Sequence, residues 1–454
     1  MSYLTRSGGR EKTKQAVTST LRKYTTRLGA GDFTFGILHT IHAVVMIAFS
    51  FAQIFVFARV LDHERYAQVV FLTALAFYFL PLSQAAGRAN YVALREDAVR
   101  GLELAARDAV LALLLANFLF LAAASVVVPF VIGAVAAGRG LEIGLYVAFC
   151  LSTNFLYFDV QSAIWALDLG KMFNVYSLAM RMVHFASVAV LWWTRDFLLF
   201  SIIATLANLA FLFAVGRLAL TAHPGITPGF RPGFPRRPLL SAHLSNLRTA
   251  LVSTLAELIA LQAPYGLFAA LFGVGPVIVA YDTIMKLTRP AATAARIITE
   301  IALPRVTRLN LSSNMVEAQR LVLKAFFATL GVSLMLALFV AMFGQGIFRL
   351  LLGPNNLMPQ GAQYAAFAII VANGLYQPSM IFLGFNNARK LVLVVAAAAF
   401  AGFVVLALTM AATTLPLMGV LWSYIAYLSA LALLAAWLSW NQLGSASQPG
   451  RLSA

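Results

Sequence analysis

The sequence predicts an all-α, polytopic membrane protein with about twelve transmembrane helices. Of its 454 residues, 61% are hydrophobic and only 11% are charged, whereas charged residues make up about 25% of soluble domains. The apolar residues also occur in runs long enough to cross a bilayer, which takes about 20 residues per helix. No soluble fold of this size could bury so much apolar surface. The composition therefore excludes secreted, nucleic-acid-binding and disordered proteins, and we expect no nucleic acid partner.

Twelve apolar segments account for the predicted spans. They are 33–60, 67–86, 107–133, 143–167, 172–194, 197–220, 247–272, 276–303, 321–352, 361–384, 390–412 and 416–440. The weakest boundary lies between the seventh and eighth segments, where only Gly273, Val274, Gly275 and Pro276 interrupt the apolar run. Glycine and proline end helices, and four residues suffice for a tight turn, so we predict two separate spans here.

The basic residues of the connections orient these spans. Alternate connections contain 24 Lys and Arg residues on one side and 4 on the other. Connections rich in Lys and Arg lie in the cytoplasm. We therefore expect a multi-pass protein of the bacterial inner membrane with both termini in the cytoplasm, and we call the opposite side the outer face. Most of the net charge of +17 thus reflects topology.

A proline-rich connection divides the chain into two halves of six spans. Five prolines lie between His223 and Pro238, which excludes a continuous helix there. Two equal halves suggest a parallel duplication. The predicted organisation is a basic tail at 1–32, an N-lobe at 33–220, a linker at 221–246, a C-lobe at 247–440 and a second tail at 441–454.

The N-terminal tail offers a possible contact with lipid. Val17, Leu21, Tyr24 and Leu28 recur at helical spacing between basic residues. This pattern suits a helix that lies on anionic lipid, and it equally suits a solvated tail. Membrane lipids are therefore one expected partner.

The eighth span contains five charged residues. They are Asp282, Lys286, Arg289, Arg296 and Glu300. Their intervals of 4, 3, 7 and 4 residues place them on one face of a helix. A charge at the centre of the membrane costs about 2.5–3.5 kcal/mol on insertion scales. This face must therefore contact a water-filled cavity or partner charges, and it is the first candidate for a functional site.

Other ionisable residues occur at matching depths in neighbouring spans. Glu257 in the seventh span and Arg289 in the eighth lie at similar distances from the turn between them, so an ion pair is plausible. The same argument favours a pair between Asp159 and Arg181, with His184 one turn further along. Such pairs are either structural or part of substrate contact and ion coupling.

Among the ionisable residues predicted inside the membrane, five are basic and four are acidic, and four of the five basic residues are arginines. Arginine suits bidentate contact with phosphate, so we expect an anionic substrate. Arg59, near the outer end of the first span, is expected to anchor that helix at the interface. Cys150, the only cysteine, is expected to have a packing role.

Motifs for catalysis are missing from the sequence. We find no phosphate-binding loop, no zinc-type HExxH and no Ser/His/Asp spacing. No connection is long enough to form a catalytic domain. We therefore expect a protein that is not an enzyme and has no cofactor and no metal.

Three stretches resemble one known family. The run FVFARVLDHERYAQVVFLTALAFYF from Phe55 resembles its signature of an aromatic span, an ARxL end, a short acidic turn and a small residue. The matching positions are Ala58, Arg59, Leu61, Glu64 and Ala67, where Ala67 replaces the usual glycine. The segment TEIALPRVTRL resembles a second signature through Leu303, Pro304 and Arg305. The segment FRLLLGPNN from Phe348 resembles a third, an "llfG" segment.

The family is the polysaccharide or O-antigen repeat-unit flippases, the Wzx type of the multidrug/oligosaccharidyl-lipid/polysaccharide (MOP) exporter superfamily. The resemblance implies a fold like that of the multidrug and toxin extrusion (MATE) transporters, with two six-helix lobes around a central cavity and alternating access. It implies a polyprenyl-pyrophosphate-linked oligosaccharide as the anionic substrate, and polysaccharide polymerase or export proteins as partners. Carried over, substrate binding falls on Lys286, Arg289, Arg296 and Arg181.

Ion coupling and two alternative functions complete the expectations. Coupling to protons or sodium would use acidic residues, with Glu257, Asp282 and Asp159 as candidates. A MOP/MATE-type multidrug antiporter is the first alternative, although acidic residues should predominate in a cavity for cationic drugs. A membrane component of a glycan assembly complex, without transport, is the second.

Overall fold

The computed structural model describes most of the twelve predicted spans. It covers residues 28–78, 126–132, 139–166, 169–222, 250–311, 315–353, 356–385 and 389–446, with a few single positions between 83 and 248. All regular secondary structure in these residues is helical. The predicted tail helix around Val17, the proline-rich linker and most of the third span lie outside the described residues.

The N-terminal half contains six labelled helices. They are α1 (Leu28–Val60), α2 (His63–Phe77), α3 (Gly140–Leu151), α4 (Tyr157–Ala166), α5 (Gly170–Thr194) and α6 (Phe197–Ala222). A π-helical segment, Ser152–Leu156, joins α3 to α4, so these two helices together form the fourth predicted span. Helix α2 begins at the N-cap Asp62, whose carboxylate accepts a hydrogen bond from the Arg65 amide.

The C-terminal half contains the other six. A span at Ala250–Phe272 includes a π-helical segment, Leu258–Gln262, and ends as α7 (Ala263–Phe272). The remaining helices are α8 (Pro276–Leu311), α9 (Met315–Leu352), α10 (Ala362–Phe385), α11 (Arg389–Ala412) and α12 (Leu417–Ala446). Gly273 adopts φ +74° after α7, so the glycine turn predicted between the seventh and eighth spans is confirmed.

Eight helices within the described residues are long and apolar enough to cross a membrane. They comprise α1, α5, α6, the span that ends in α7, and α9 to α12. Helix α8 is longer than most of them, but its charged residues lower its apolar content. The predicted all-α, multi-pass architecture is confirmed.

Each half packs mainly within itself. In the N-lobe, α1 packs against α5, α5 against α6, and α6 against α3. Aromatic rings fill this lobe, with Phe57, Tyr146, Phe197 and Phe200 in mutual contact. In the C-lobe, α10 lies between α8, α9 and α12. Within the described residues, most helix packing therefore occurs inside each half of the chain.

The two lobes meet along few helices. Helix α1 of the N-lobe contacts α8 and α9 of the C-lobe, and α2 contacts α7 and α8. The Tyr78 hydroxyl after α2 donates a hydrogen bond to the Ala263 carbonyl (3.2 Å) and accepts one from the Gly266 amide (2.9 Å). A side chain at Gly266 would collide with that hydroxyl, since its Cβ would lie 2.6 Å away. Glycine therefore permits the close approach of α2 to α7.

Candidate functional site at the lobe interface

A buried ion pair occupies the outer half of α8. The Lys286 ammonium lies 2.6 Å from Asp282 Oδ2, and both residues are buried, at 8% and 2% exposure. The Tyr265 hydroxyl of α7 donates a hydrogen bond to Asp282 Oδ1 at 2.9 Å. The one-turn pairing of Asp282 with Lys286 follows from their i,i+4 spacing. This network neutralises part of the charged face within the C-lobe.

Arg289 extends the same face towards the N-lobe. Its guanidinium donates a hydrogen bond to the Ser50 hydroxyl of α1 at 3.3 Å and lies 5.2 Å from the centre of the Phe77 ring of α2. Both described partners are neutral and belong to the opposite lobe. Arg289 is partly buried, and it therefore places a positive charge where the lobes meet. An anion between the lobes would find this guanidinium in position to form charge-assisted hydrogen bonds.

Two of the predicted site residues are located only through their helices. Arg296 lies on α8 two turns beyond Arg289, and Asp159 lies on α4, but their side chains are outside the described part. Glu257 immediately precedes the π-helical segment of the seventh span. Its predicted pairing with Arg289 stays a prediction, as does the pairing of Asp159 with Arg181.

Arg181 lies inside the N-lobe. It is 3% exposed, its Nη1 lies 3.3 Å from His184 Nδ1, and its guanidinium is 5.8 Å from the centre of the Phe49 ring. Phe49 and Ser50 are neighbours on α1, so they point in different directions around that helix. Arg181 and Arg289 therefore approach α1 from different directions. Among the described contacts, none joins the two arginines.

A polar network close to Arg181 contains residues that the sequence did not identify as candidates. The His42 Nε2 lies 2.7 Å from the Ser177 hydroxyl, which lies 3.0 Å from the Tyr157 hydroxyl. All three side chains are buried. His42, near the start of the predicted first span, lies in the lobe interior because α1 begins as early as Leu28.

Other site residues also escaped the sequence argument. Tyr265 had a usable signal, because Tyr265 and Asp282 lie symmetrically about the turn at Gly273, as Glu257 and Arg289 do. Ser50 had none, since nothing in the sequence relates α1 to α8.

Comparison with solved structures gives the fold a name, while no protein-family model and no curated protein sequence matches the chain. An inward-facing multidrug resistance MATE family transporter of the MOP superfamily aligns with a TM-score of 0.65 at 13% identity, covering 92% of this chain and 100% of that one. An outward-facing one aligns with a TM-score of 0.66 at 12% identity, covering 92% and 96%.

A third similar structure is a MOP superfamily transporter from Pyrococcus furiosus. It aligns with a TM-score of 0.59 at 13% identity and covers 92% of this chain and 96% of its own. Its published description states that a reversed polarity of the binding pocket suggests a different function. At such low identities these similarities establish the fold alone. The chain has the fold of the MATE family transporters of the MOP superfamily.

Proposed function

We propose that this protein is an alternating-access membrane transporter that moves an anionic, lipid-linked oligosaccharide to the outer leaflet. The fold supports transport, since the similar solved structures are transporters. The observation that carries the substrate class is Arg289, which presents a guanidinium at the lobe interface to two neutral groups of the opposite lobe. A polyprenyl pyrophosphate supplies the phosphate oxygens that a guanidinium binds in a bidentate manner.

The arrangement also provides a simple mechanism for alternation. In alternating access, one lobe rocks against the other around a fixed site. Arg289 contacts α1 and α2, so rocking changes its surroundings directly. A bound pyrophosphate would favour the state in which Arg289 turns from Ser50 to the phosphate, as a ligand shifts an equilibrium through its differential affinity for two states. Glu257, Asp282 and Asp159 remain the candidates for ion coupling.

The multidrug antiporter is the second candidate, and it is favoured by the fold, because two of the similar structures are multidrug resistance transporters. The positive charge at the interface argues against cationic substrates. The third candidate, a component of a glycan assembly complex without transport, predicts no translocation at all.

The decisive experiment is flipping of a labelled lipid in proteoliposomes. Liposomes would contain a fluorescent polyprenyl-pyrophosphate oligosaccharide, and a membrane-impermeant quencher would report its movement between leaflets. We expect Arg289→Gln to slow movement by about tenfold or more, since it removes a charged hydrogen-bond donor worth about 1.5–3 kcal/mol. Lys390→Gln, at the exposed start of α11, removes the same charge away from the interface and should leave the rate unchanged.

Two results would contradict this proposal. If the wild-type protein does not accelerate flipping, the lipid-linked glycan is not its substrate. If Arg289→Gln and Lys390→Gln behave alike, Arg289 does not bind the substrate. Resistance of cells to cationic drugs on overexpression, combined with normal surface polysaccharide after gene deletion, would favour the multidrug antiporter.

A further inference from the structure

One side chain joins the two lobes at the end of the spans that the charge pattern assigns to the outer face. Arg59, at the end of α1, donates hydrogen bonds to the carbonyl of Leu351 through Nη1 (3.0 Å) and to that of Leu350 through Nη2 (2.6 Å). Both acceptors belong to the last turn of α9 in the C-lobe. Arg59, expected as an interfacial anchor, therefore also forms a contact between the lobes.

The acceptors are suited to a cation. The last four carbonyls of a helix have no partner within the helix, and the helix dipole adds partial negative charge at that end. A guanidinium that binds two of these carbonyls supplies their missing hydrogen bonds and places a positive charge beside the negative end of the helix dipole. The contact therefore stabilises the end of α9 as well as the approach of the two lobes.

A glycine provides the space for this contact. Gly353 follows α9 with φ +53°, the left-handed conformation that commonly ends helices. A Cβ at this position would lie 3.1 Å from the Arg59 Cζ and 3.1 Å from its Nη2. Because it has no side chain, Gly353 allows both the left-handed backbone conformation and the observed position of the guanidinium. Arg59 and Gly353 come from two of the three segments singled out by resemblance, which meet here in space.

The N-lobe holds the arginine in position. The Arg59 Nη1 also donates to the Phe55 carbonyl at 2.8 Å, and its guanidinium stacks 3.7 Å from the centre of the Phe55 ring. Arg195, in the turn between α5 and α6, donates to the Arg59 carbonyl at 3.3 Å. Separation of the lobes at the outer face would break the two bonds to α9 and leave these N-lobe contacts intact.

We propose that Arg59 is a gating residue that holds the outer ends of the two lobes together by binding the last turn of α9. This inference rests on the alternating access of the proposed function and adds the contact that must break for the outer side to open. Each cycle would release the guanidinium from the carbonyls of Leu350 and Leu351 and then restore it. The residue acts on the equilibrium between conformations and does not contact the substrate.

The test is a distance measurement across the outer face without substrate. Spin labels at Leu141→Cys in the N-lobe and Gln360→Cys in the C-lobe, both exposed, would report lobe separation in a Cys150→Ala background. In wild type we expect a short distance to dominate. Arg59→Gln should raise the long-distance, outward-open population about tenfold, which corresponds to about 1.4 kcal/mol. Gly353→Ala should raise it too, with Arg59 still present.

Two further variants decide between a specific gate and a general effect. Arg139→Gln, at the exposed start of α3, removes the same charge at this face of the N-lobe but leaves the contact between lobes, so we expect the wild-type distribution. Arg59→Lys keeps the charge without the planar fork, and we expect an intermediate population. Unchanged distances in both Arg59→Gln and Gly353→Ala, or equal opening in Arg139→Gln, would overturn the proposal.

This outcome is separable from that of the proposed function. The distances are measured without any glycan. If the protein opens on loss of Arg59 but moves no lipid-linked glycan, the gate is supported and the substrate assignment is wrong. If the protein flips the labelled lipid but loss of Arg59 changes no distance, the substrate assignment is supported and the gate is wrong.

Discussion

At the residue scale, the two halves of the charged face on α8 have different roles. Lys286 lies against Asp282 within one lobe, whereas Arg289 contacts side chains of the other. The pair is buried, so its attraction mainly offsets the cost of removing both charges from water. We infer that Lys286 and Asp282 maintain the shape of the C-lobe, and that Arg289 is the better candidate for contact with an anion.

This division predicts a difference in stability. Lys286→Met leaves the Asp282 carboxylate buried with only the Tyr265 hydroxyl as its described partner, so we expect a loss of about 3–5 kcal/mol of stability. The double variant Asp282→Asn with Lys286→Met removes both charges and should recover most of that loss. Thermal unfolding in detergent, followed by tryptophan fluorescence, would measure both. Equal losses in the single and double variants would contradict a structural ion pair.

The same residues show what sequence can predict. The Asp282–Lys286 pair follows from spacing along one helix. The contact of Arg289 with Ser50 could not be predicted, since it depends on how α1 docks against α8, and docking geometry depends on side-chain shape along both helices. The contact of Arg59 with the end of α9 could not be predicted for a related reason. Snorkelling is the default expectation for an arginine at a span end, and nothing in the sequence relates α1 to α9.

At the element scale, helix ends were more predictable than helix interiors. The glycines and proline between α7 and α8 fixed the turn, because glycine commonly ends a helix and proline favours the first turn of the next one. The π-helical segments at Ser152–Leu156 and Leu258–Gln262 carry no such signal. Each inserts a wider turn inside a predicted span, where the hydrophobic pattern predicts only a continuous helix.

Close packing of α9 against α10 predicts a sensitive glycine. A Cβ at Gly374 in α10 would lie 2.4 Å from the Ser333 Cβ in α9, so Gly374→Ala forces the two helices apart. Overpacking of this kind costs about 1–3 kcal/mol. Gly331→Ala in α9, where a Cβ would meet nothing within 4 Å, is the matched control. Unfolding in detergent should show a clear loss only for Gly374→Ala, and similar results for both variants would refute the packing argument.

At the scale of the whole molecule, the fold follows from composition and its alternation along the chain. The twelve spans and the two halves were predicted from apolar runs and the proline-rich linker, because the membrane imposes a nearly fixed length on each span. The substrate could not be deduced in the same way. Transporters of one fold accept different substrates, and the difference lies in a few side chains at the lobe interface.

The charge pattern predicts a definite orientation. With 24 basic residues in one set of connections and 4 in the other, both termini should be cytoplasmic. Fusion of alkaline phosphatase, which is active only outside the cytoplasm, should give an inactive protein at the C-terminus and an active one at Leu357 between α9 and α10. The reverse activities would invert the orientation and place the Arg59 contact on the cytoplasmic side.

The length of α8 has a mechanical consequence. Its 36 residues span about 54 Å, well beyond the hydrocarbon core of about 30 Å, and the 38 residues of α9 run antiparallel beside it. During rocking of the lobes, this pair would act as a lever arm. A rotation of about 10° about one end would move the other end by about 9 Å, since displacement grows with helix length. A small rotation where the lobes meet would thus become a large displacement at the ends of the helices.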